Sequence, residues 1–251
     1  MEHRRAARSA GGSDSLAPVR VSVVLSPAGQ VVGGPCAIII DVLRATTTLT
    51  VALMNGARGV IPLRTPAEAL ALKEARADVL ACGERDGRMV PGFDLGNSPF
   101  EYTRERVAGR LLAFASTNGS LAMLAARDAR RRLPAAFVNA RAVVERVRGE
   151  REIAIVCAGK LGGFSLEDAA CAGLLVARLE AHGGVASGAA ARFTRSLAPA
   201  DQAETGALVE GAAHARDLLA MGDTYARDLA FCAGLDTIDQ AFDLGPSRPV
   251  P

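Results

Sequence analysis

Apolar positions along the chain fall into two patterns. VRVSVVLSP (19–27) places valines at alternate positions, as a strand with one buried face does. CAIIIDVLRATTT (36–48) is continuously apolar up to Asp41, which predicts a strand buried on both faces. A helix is expected over 46–57, closed by Asn55-Gly56. The alternation then repeats, with a strand at 58–63, a helix over 65–76 and a strand at 78–85. That helix carries Thr65, Pro66 and Glu68, a capping box with proline in its first turn. Further strands are predicted at 111–116, 135–139 and 152–159, and helices at 121–132, 141–149, 167–183, 215–222 and 224–234. Strands alternating with helices imply an α/β class, three-layer α/β/α with a largely parallel or mixed central sheet. The Ala/Gly-rich stretch 184–212 has too weak a pattern to assign.

Composition narrows this without redirecting it. The 251 residues are 49% hydrophobic and 22% charged, and they include no Trp, two Tyr and eight Phe. The core must therefore be Ala, Val and Leu, which suits helices lying close on a parallel sheet. Residues 1–18 read as a flexible tail and 19–251 as a single catalytic domain with room for two lobes. A net charge of +2 creates no field to hold nucleic acid. No apolar run approaches the ~20 residues of a membrane helix, and the N-terminal MEHRRAARSAGGSDS has no apolar segment behind its charges. Five widely spaced cysteines without a CxxC pair suit free thiols in a reducing compartment, so a cytoplasmic protein is expected. The basic residues are almost all Arg, with Lys only at Lys73 and Lys160. Guanidinium groups match phosphate oxygens well, but a GC-rich coding sequence explains the same bias. A homodimer is expected only on base rates.

In open parallel sheets, ligands bind beyond the carboxyl ends of strands. Four such ends here are unusually polar. IIIDVLRATTT sets Asp41, Arg44, Thr46, Thr47 and Thr48 where a helix begins, a place suited to an anion. ACGERDG offers Glu84 and Arg85, which a surface ion pair would explain equally well. FASTNGS brings Thr117, Asn118 and Gly119 into a turn able to cradle an anion, although a capped helix start explains much of it. VCAGKLGGFSLED has Gly159 for close backbone approach and Glu167 as its freer carboxylate, with Asp168 placed to cap a helix. Between the second and third ends, the loop PGFDLGNSPFEY supplies Asp94, Asn97 and Ser98, oxygen donors for a hard cation or turn formers only. GxSxG, GxGxxG after the first strand and HExxH are all absent. His3, His182 and His214 lie outside these loops, which points the chemistry at carboxylates and a metal.

IDVLRATTT, GER, GFDLGNSP, STNGS and CAGKLGGFSLEDAACAG stand in an order that resembles the 2-phosphosulfolactate phosphatase family, over nearly the whole ordered chain. The resemblance implies a Mg²⁺-dependent α/β phosphatase that hydrolyses 2-phosphosulfolactate, a step of coenzyme M biosynthesis. It further implies catalytic roles for Asp41, Arg44, Glu84, Asp94 and Glu167. Substrate contacts would come from Thr46, Thr47, Thr48, Arg85, Asn97, Ser98, Thr117, Asn118, Gly119 and Gly159. Metal ligands would be drawn from Asp41, Glu84, Asp94 and Asp168. Where the family has TTTNGT, this chain has ASTNGS, which keeps the hydroxyls at Ser116 and Ser120. The substrate would be a small, strongly anionic phosphorylated acid, suited to paired Arg donors and helix N-termini. Two mechanisms stay open, water attack beside the metal and an aspartyl-phosphate on Asp41. So do a phospho-hydroxy acid without sulfonate and a non-catalytic anion-binding module.

Overall fold

The structure, a computed structural model, describes residues 18–27 and 29–245. The expected tail lies outside the described residues except for Pro18, as does His3. The elements in order are β1 (Arg20–Val24), β2 (Gly33–Ile40), α1 (Ala45–Met54), β3 (Gly59–Pro62), α2 (Pro66–Ala75), β4 (Val79–Arg85) and β5 (Arg88–Met89). They continue with α3 (Arg104–Val107), β6 (Leu111–Ala115), α4 (Gly119–Ala125), β7 (Asp128–Ala135), α5 (Ala140–Val147), β8 (Glu152–Cys157) and α6 (Leu166–Ala181). The last are β9 (Val185–Ser187), α7 (Ala189–Arg195), α8 (Gln202–Gly211), α9 (Ala213–Leu219) and α10 (Thr224–Cys232).

This is the α/β class read from the sequence, with the strands divided between two sheets. The first has the order β7-β2-β8-β1-β9 and is parallel throughout. The second has the order β3-β6-β4-β5, parallel except for the β4–β5 hairpin. The unbroken apolar run of β2 shows why it is central. Ile38 and Ile40 join one cluster with Leu175 and Leu179 of α6, while Ala37 and Ile39 face another. That second cluster holds Leu49 of α1 and Met123 of α4 together with Leu112 and Phe114 of the second sheet. Helices α1 and α4 therefore fill the space between the two sheets, and this joins the carboxyl ends of strands from both. Helix α2 covers the far face of the second sheet, and its capping box forms as expected: Glu68 N–H donates to Thr65 Oγ1, and Thr65 N–H to Glu68 Oε2. Among the described residues no helix is long and apolar enough to cross a membrane.

Two expectations are displaced. The helix expected over 121–132 stops at Ala125, and Asp128–Ala135 forms the edge strand β7. Arg130 and Arg131, which look like the wet face of a helix, lie on the open side of that strand, where Arg131 pairs with Glu150 and Asp243, while Arg132 is buried. Charge along an exposed edge also blocks unwanted strand pairing. The strand expected at 135–139 is a single 3₁₀ turn, Phe137–Asn139, whose Asn139 Oδ1 accepts from Ala136 N–H at 2.9 Å. The unassigned stretch 184–212 becomes β9, α7 and α8.

Candidate active site

A cavity of about 260 Å³ opens where β2, β4, β6 and β8 end, with α9 forming one wall. Asp41, the residue after β2, lines it and is buried. Its Oδ1 accepts from Ala45 N–H at 3.3 Å. Burial pushes the Asp41 carboxyl up to about 6; His214 and the Ala45 N–H oppose this, and the charges of Glu84 and Glu167 add to it. Arg44 lines the cavity with its charge already matched: Nη1 lies 2.5 Å from Asp228 Oδ2, Nη2 donates to Gly87 O at 2.9 Å, and the guanidinium sits 4.8 Å over the Tyr225 ring.

The threonines after Arg44 do not reach the cavity. Helix α1 is buried along almost its whole length, so each hydroxyl must find a partner inside the protein. Thr46 Oγ1 donates to Ala135 O at 2.7 Å, Thr47 Oγ1 to Val42 O at 2.9 Å and Thr48 Oγ1 to Asn97 O at 3.0 Å. They brace the loops around Asp41.

Glu84 lines the cavity and ties two strand ends together. Its Oε1 accepts from Thr117 N–H at 2.7 Å, and its Oε2 accepts from Gly87 N–H at 2.7 Å and from Thr117 Oγ1 at 3.1 Å. Arg85, one residue on along the strand, points away and donates to Arg64 O at 2.8 Å. Asp94 also lies outside the cavity lining. It pairs with Lys73 Nζ at 2.7 Å and accepts from Ala81 N–H at 2.9 Å, stapling its loop to β4. Asn97 lines the cavity with a buried Oδ1 that has no hydrogen-bond partner among the described residues. Ser98 stands behind it and donates to Asp228 Oδ1 at 2.6 Å.

From β6, Thr117 and Asn118 reach the lining, and Asn118 Oδ1 accepts from Leu161 N–H at 3.0 Å. Gly119 must be glycine for this turn to approach β2, because a Cβ there would lie 2.6 Å from both Asp41 Oδ2 and Ala45 Cβ. Gly159, with φ +64°, lets its loop fold back so closely that a Cβ would sit 2.1 Å from Gly163 O. Asp168 uses both oxygens on backbone: Oδ1 accepts from Val42 N–H at 2.8 Å and Oδ2 from Gly159 N–H at 3.0 Å. Burial, reinforced by Glu167 and Asp41, raises its carboxyl well above the usual range. Asp168 thus clamps the loops after β2 and β8 to each other.

The sequence profile of the 2-phosphosulpholactate phosphatase family matches residues 24–244. A probable 2-phosphosulfolactate phosphatase of Thermotoga petrophila is 40% identical over 219 residues, 86% of this chain and 91% of its own length. Proteins of the same description are 40% identical over 226 residues in Gloeobacter violaceus (88% and 93%) and over 220 in Deinococcus radiodurans (86% and 90%). The chain belongs to the 2-phosphosulpholactate phosphatase family. Members of that family are phosphoric monoester hydrolases, and the cavity can be weighed against that chemistry.

Among the described residues, no group of three or more His, Cys, Asp and Glu is arranged to hold a metal. Of the carboxylates expected as ligands, Asp41 and Glu84 line the cavity, Glu84 while also accepting three hydrogen bonds, and Asp94 and Asp168 stand outside the lining. The orphaned Asn97 Oδ1 is a further oxygen donor in the same lining. Two carboxylates and an amide oxygen fit Mg²⁺, a hard ion bound through one or two carboxylates, waters and substrate phosphate.

Several residues of the site went unseen in the sequence. His214 lines the cavity, with Nδ1 at 3.5 Å from Glu167 Oε1. Lys160 and Asp217 form an ion pair at the rim. Tyr225 and Asp228 hold Arg44 from behind. Asp228 did leave a trace: it is a charge beside the buried Leu229 in α10, where an amphipathic helix should be apolar. His214 stood out only as a histidine with a minor chance of reaching the site, since it lies far from the strand-end loops in a short Ala- and Leu-rich segment.

Proposed function

We propose that the chain is a Mg²⁺-dependent phosphatase that hydrolyses 2-phosphosulfolactate to sulfolactate and phosphate. The charge balance of the cavity carries this reading. Asp41, Glu84, Asp86 and Asp217 line it against Arg44, Lys160 and the titratable His214, and Arg44 and Lys160 are already paired. A substrate with phosphate, sulfonate and carboxylate would be repelled from such a lining unless a divalent cation entered as well. Asp41, Glu84 and the Asn97 amide oxygen would hold Mg²⁺, which when bound neutralises phosphoryl charge and polarises its oxygens.

The chain's own groups do the rest. Arg44, fixed by Asp228 and Tyr225, offers an oriented cation that needs no rearrangement to meet an anionic oxygen. Thr117 and Asn118 complete the polar lining. Asp41, ionised above about pH 6, directs a water at phosphorus or attacks it directly.

Phosphate release from 2-phosphosulfolactate, 2-phospholactate and an aryl phosphate, each with Mg²⁺ or with EDTA, tests the proposal. Mg²⁺-dependent turnover favouring the sulfonated substrate is expected. Turnover of the other esters alone would keep the chemistry and discard the substrate. No turnover of any ester by folded, metal-supplied protein would leave an anion-binding module in its place.

A further inference from the structure

An alkyl phosphate has a poor leaving group. When the bond from phosphorus to the C2 oxygen breaks, the departing alkoxide is strongly basic and needs a proton or an equivalent charge as it forms. The groups in the loops that supplied the family resemblance are committed to other contacts. Asp41 is given to the attacking side of the reaction, Glu84 accepts three hydrogen bonds, Lys160 is paired with Asp217, Asp168 is bound to backbone on both oxygens, and Arg44 cannot release a proton.

His214 is the remaining titratable donor in the lining. It enters from α9 and is largely buried, at 19% side-chain exposure. Its Nδ1 is 3.5 Å from Oε1 of Glu167, itself almost fully buried at the start of α6. Burial tends to raise the Glu167 carboxyl, but hydrogen bonding to the His214 imidazole, to its own backbone N–H and to Ser165 together hold it below its ordinary value. Glu167 is therefore an anion facing the ring, and it fixes which nitrogen points where. Among the described residues Nε2 makes no hydrogen bond, and His214 lines the cavity, so this nitrogen is free for a ligand there. The other charged groups near the ring are Asp41, Asp217 and Lys160.

We infer that His214 is the catalytic proton donor to the leaving oxygen, and that Glu167 is the positioning residue that orients its ring. The inference rests on the phosphatase reading above and adds a residue outside the motifs that led to it. As the P–O bond to C2 breaks, its electron pair goes to the leaving oxygen, which takes the proton from Nε2 and departs as the alcohol. Water supplies the hydroxyl that ends on phosphate, and the proton it releases restores His214 through solvent.

Comparison of 2-phospholactate with 3,3,3-trifluoro-2-phospholactate tests this. The two share carboxylate and phosphate and differ only in CF3 for CH3, whose bulk wild type and variant meet alike, but the fluorinated alcohol is far more acidic and needs little help to leave. For His214→Gln, kcat/KM on 2-phospholactate should fall roughly 10²–10⁴-fold. The loss on the fluorinated ester should be at least about tenfold smaller. Glu167→Gln should show the same bias to a lesser degree. Retained turnover of the fluorinated ester also shows that the variant is folded. Equal losses on the two esters would overturn the proposal, since a base acting on water or a purely structural role predicts them, and so would no loss on either. A wild-type chain inactive on every phosphate ester would instead fail the phosphatase reading, and the inference with it.

Discussion

Burial alone would keep the Asp41 carboxyl neutral in mild acid, and the nearby Glu84 and Glu167 deepen the effect. Its folded pKa of about 6 stands above the value near 4 of an unfolded chain. Between those values the folded state keeps a proton that the unfolded chain has released. Stability therefore falls as pH rises from about 4 to about 6 and stays reduced above it, by at most about 3 kcal/mol for a shift near two units. Asp41→Asn carries no charge at any pH. With metal removed, the variant should match wild type near pH 4 and exceed it in thermal unfolding at pH 8. Added Mg²⁺ should raise the wild-type Tm and leave the variant almost unmoved. Identical pH dependence of the two proteins would show that the Asp41 charge is not what destabilises the site. Asp41 was legible in the sequence because a charge that abruptly ends a fully apolar strand has few structural reasons to be there.

Elements carry the next constraint, since Asp41 works only if the turn after β6 sits against it. Gly119 sets that distance, with no room for a Cβ between the turn and Asp41 Oδ2 or Ala45. Gly119→Ala should therefore push the turn outward, costing about 1–3 kcal/mol of stability. Its effect on kcat should be larger in proportion, about 10²-fold, because reactive groups displaced by about 1 Å lose most of their advantage. Steady-state kinetics beside a thermal melt would separate the two, and a fall in Tm with kcat intact would refute the role given to the turn. Local chemistry of this kind is what sequence displays best. The α2 capping box and the glycines of the strand-end loops are each complete within a few residues. The threonines of α1 misled for the same reason. A hydroxyl at a helix start suits an anion, but these reach carbonyls of Ala135 and Asn97, which no local pattern reveals. Strand β7 was hidden because its exposed arginines answer to Glu150 and Asp243, distant in the chain.

At the scale of the whole molecule, the cavity is a meeting of parts far apart in sequence. Arg44 and Asp228 are 184 residues apart, yet the arginine depends on that one carboxylate, which Ser98 in turn orients. Nothing near Arg44 announces the partner, so the sequence could nominate the cation and leave its support unseen. The dependence also makes α10 part of the active site without touching substrate. Asp228→Ala should strand a buried guanidinium and cost about 3–5 kcal/mol, because the remaining charge keeps its desolvation penalty. At about 2–4 °C per kcal/mol for a chain of this size, Tm should fall by roughly 6–20 °C. Asp228→Asn keeps an oxygen for Arg44 and should lose less stability. It should still raise KM for the anionic substrate, since Arg44 is then no longer held by an opposite charge. Tyr225→Phe, which keeps the ring beneath the guanidinium and removes only the hydroxyl that donates to Gly87 O, should change both quantities little. If Asp228→Asn matched wild type in KM while Asp228→Ala unfolded early, Asp228 would be a structural counter-charge only, and the substrate anion would have to be met by another cation of the described lining, Lys160 or protonated His214.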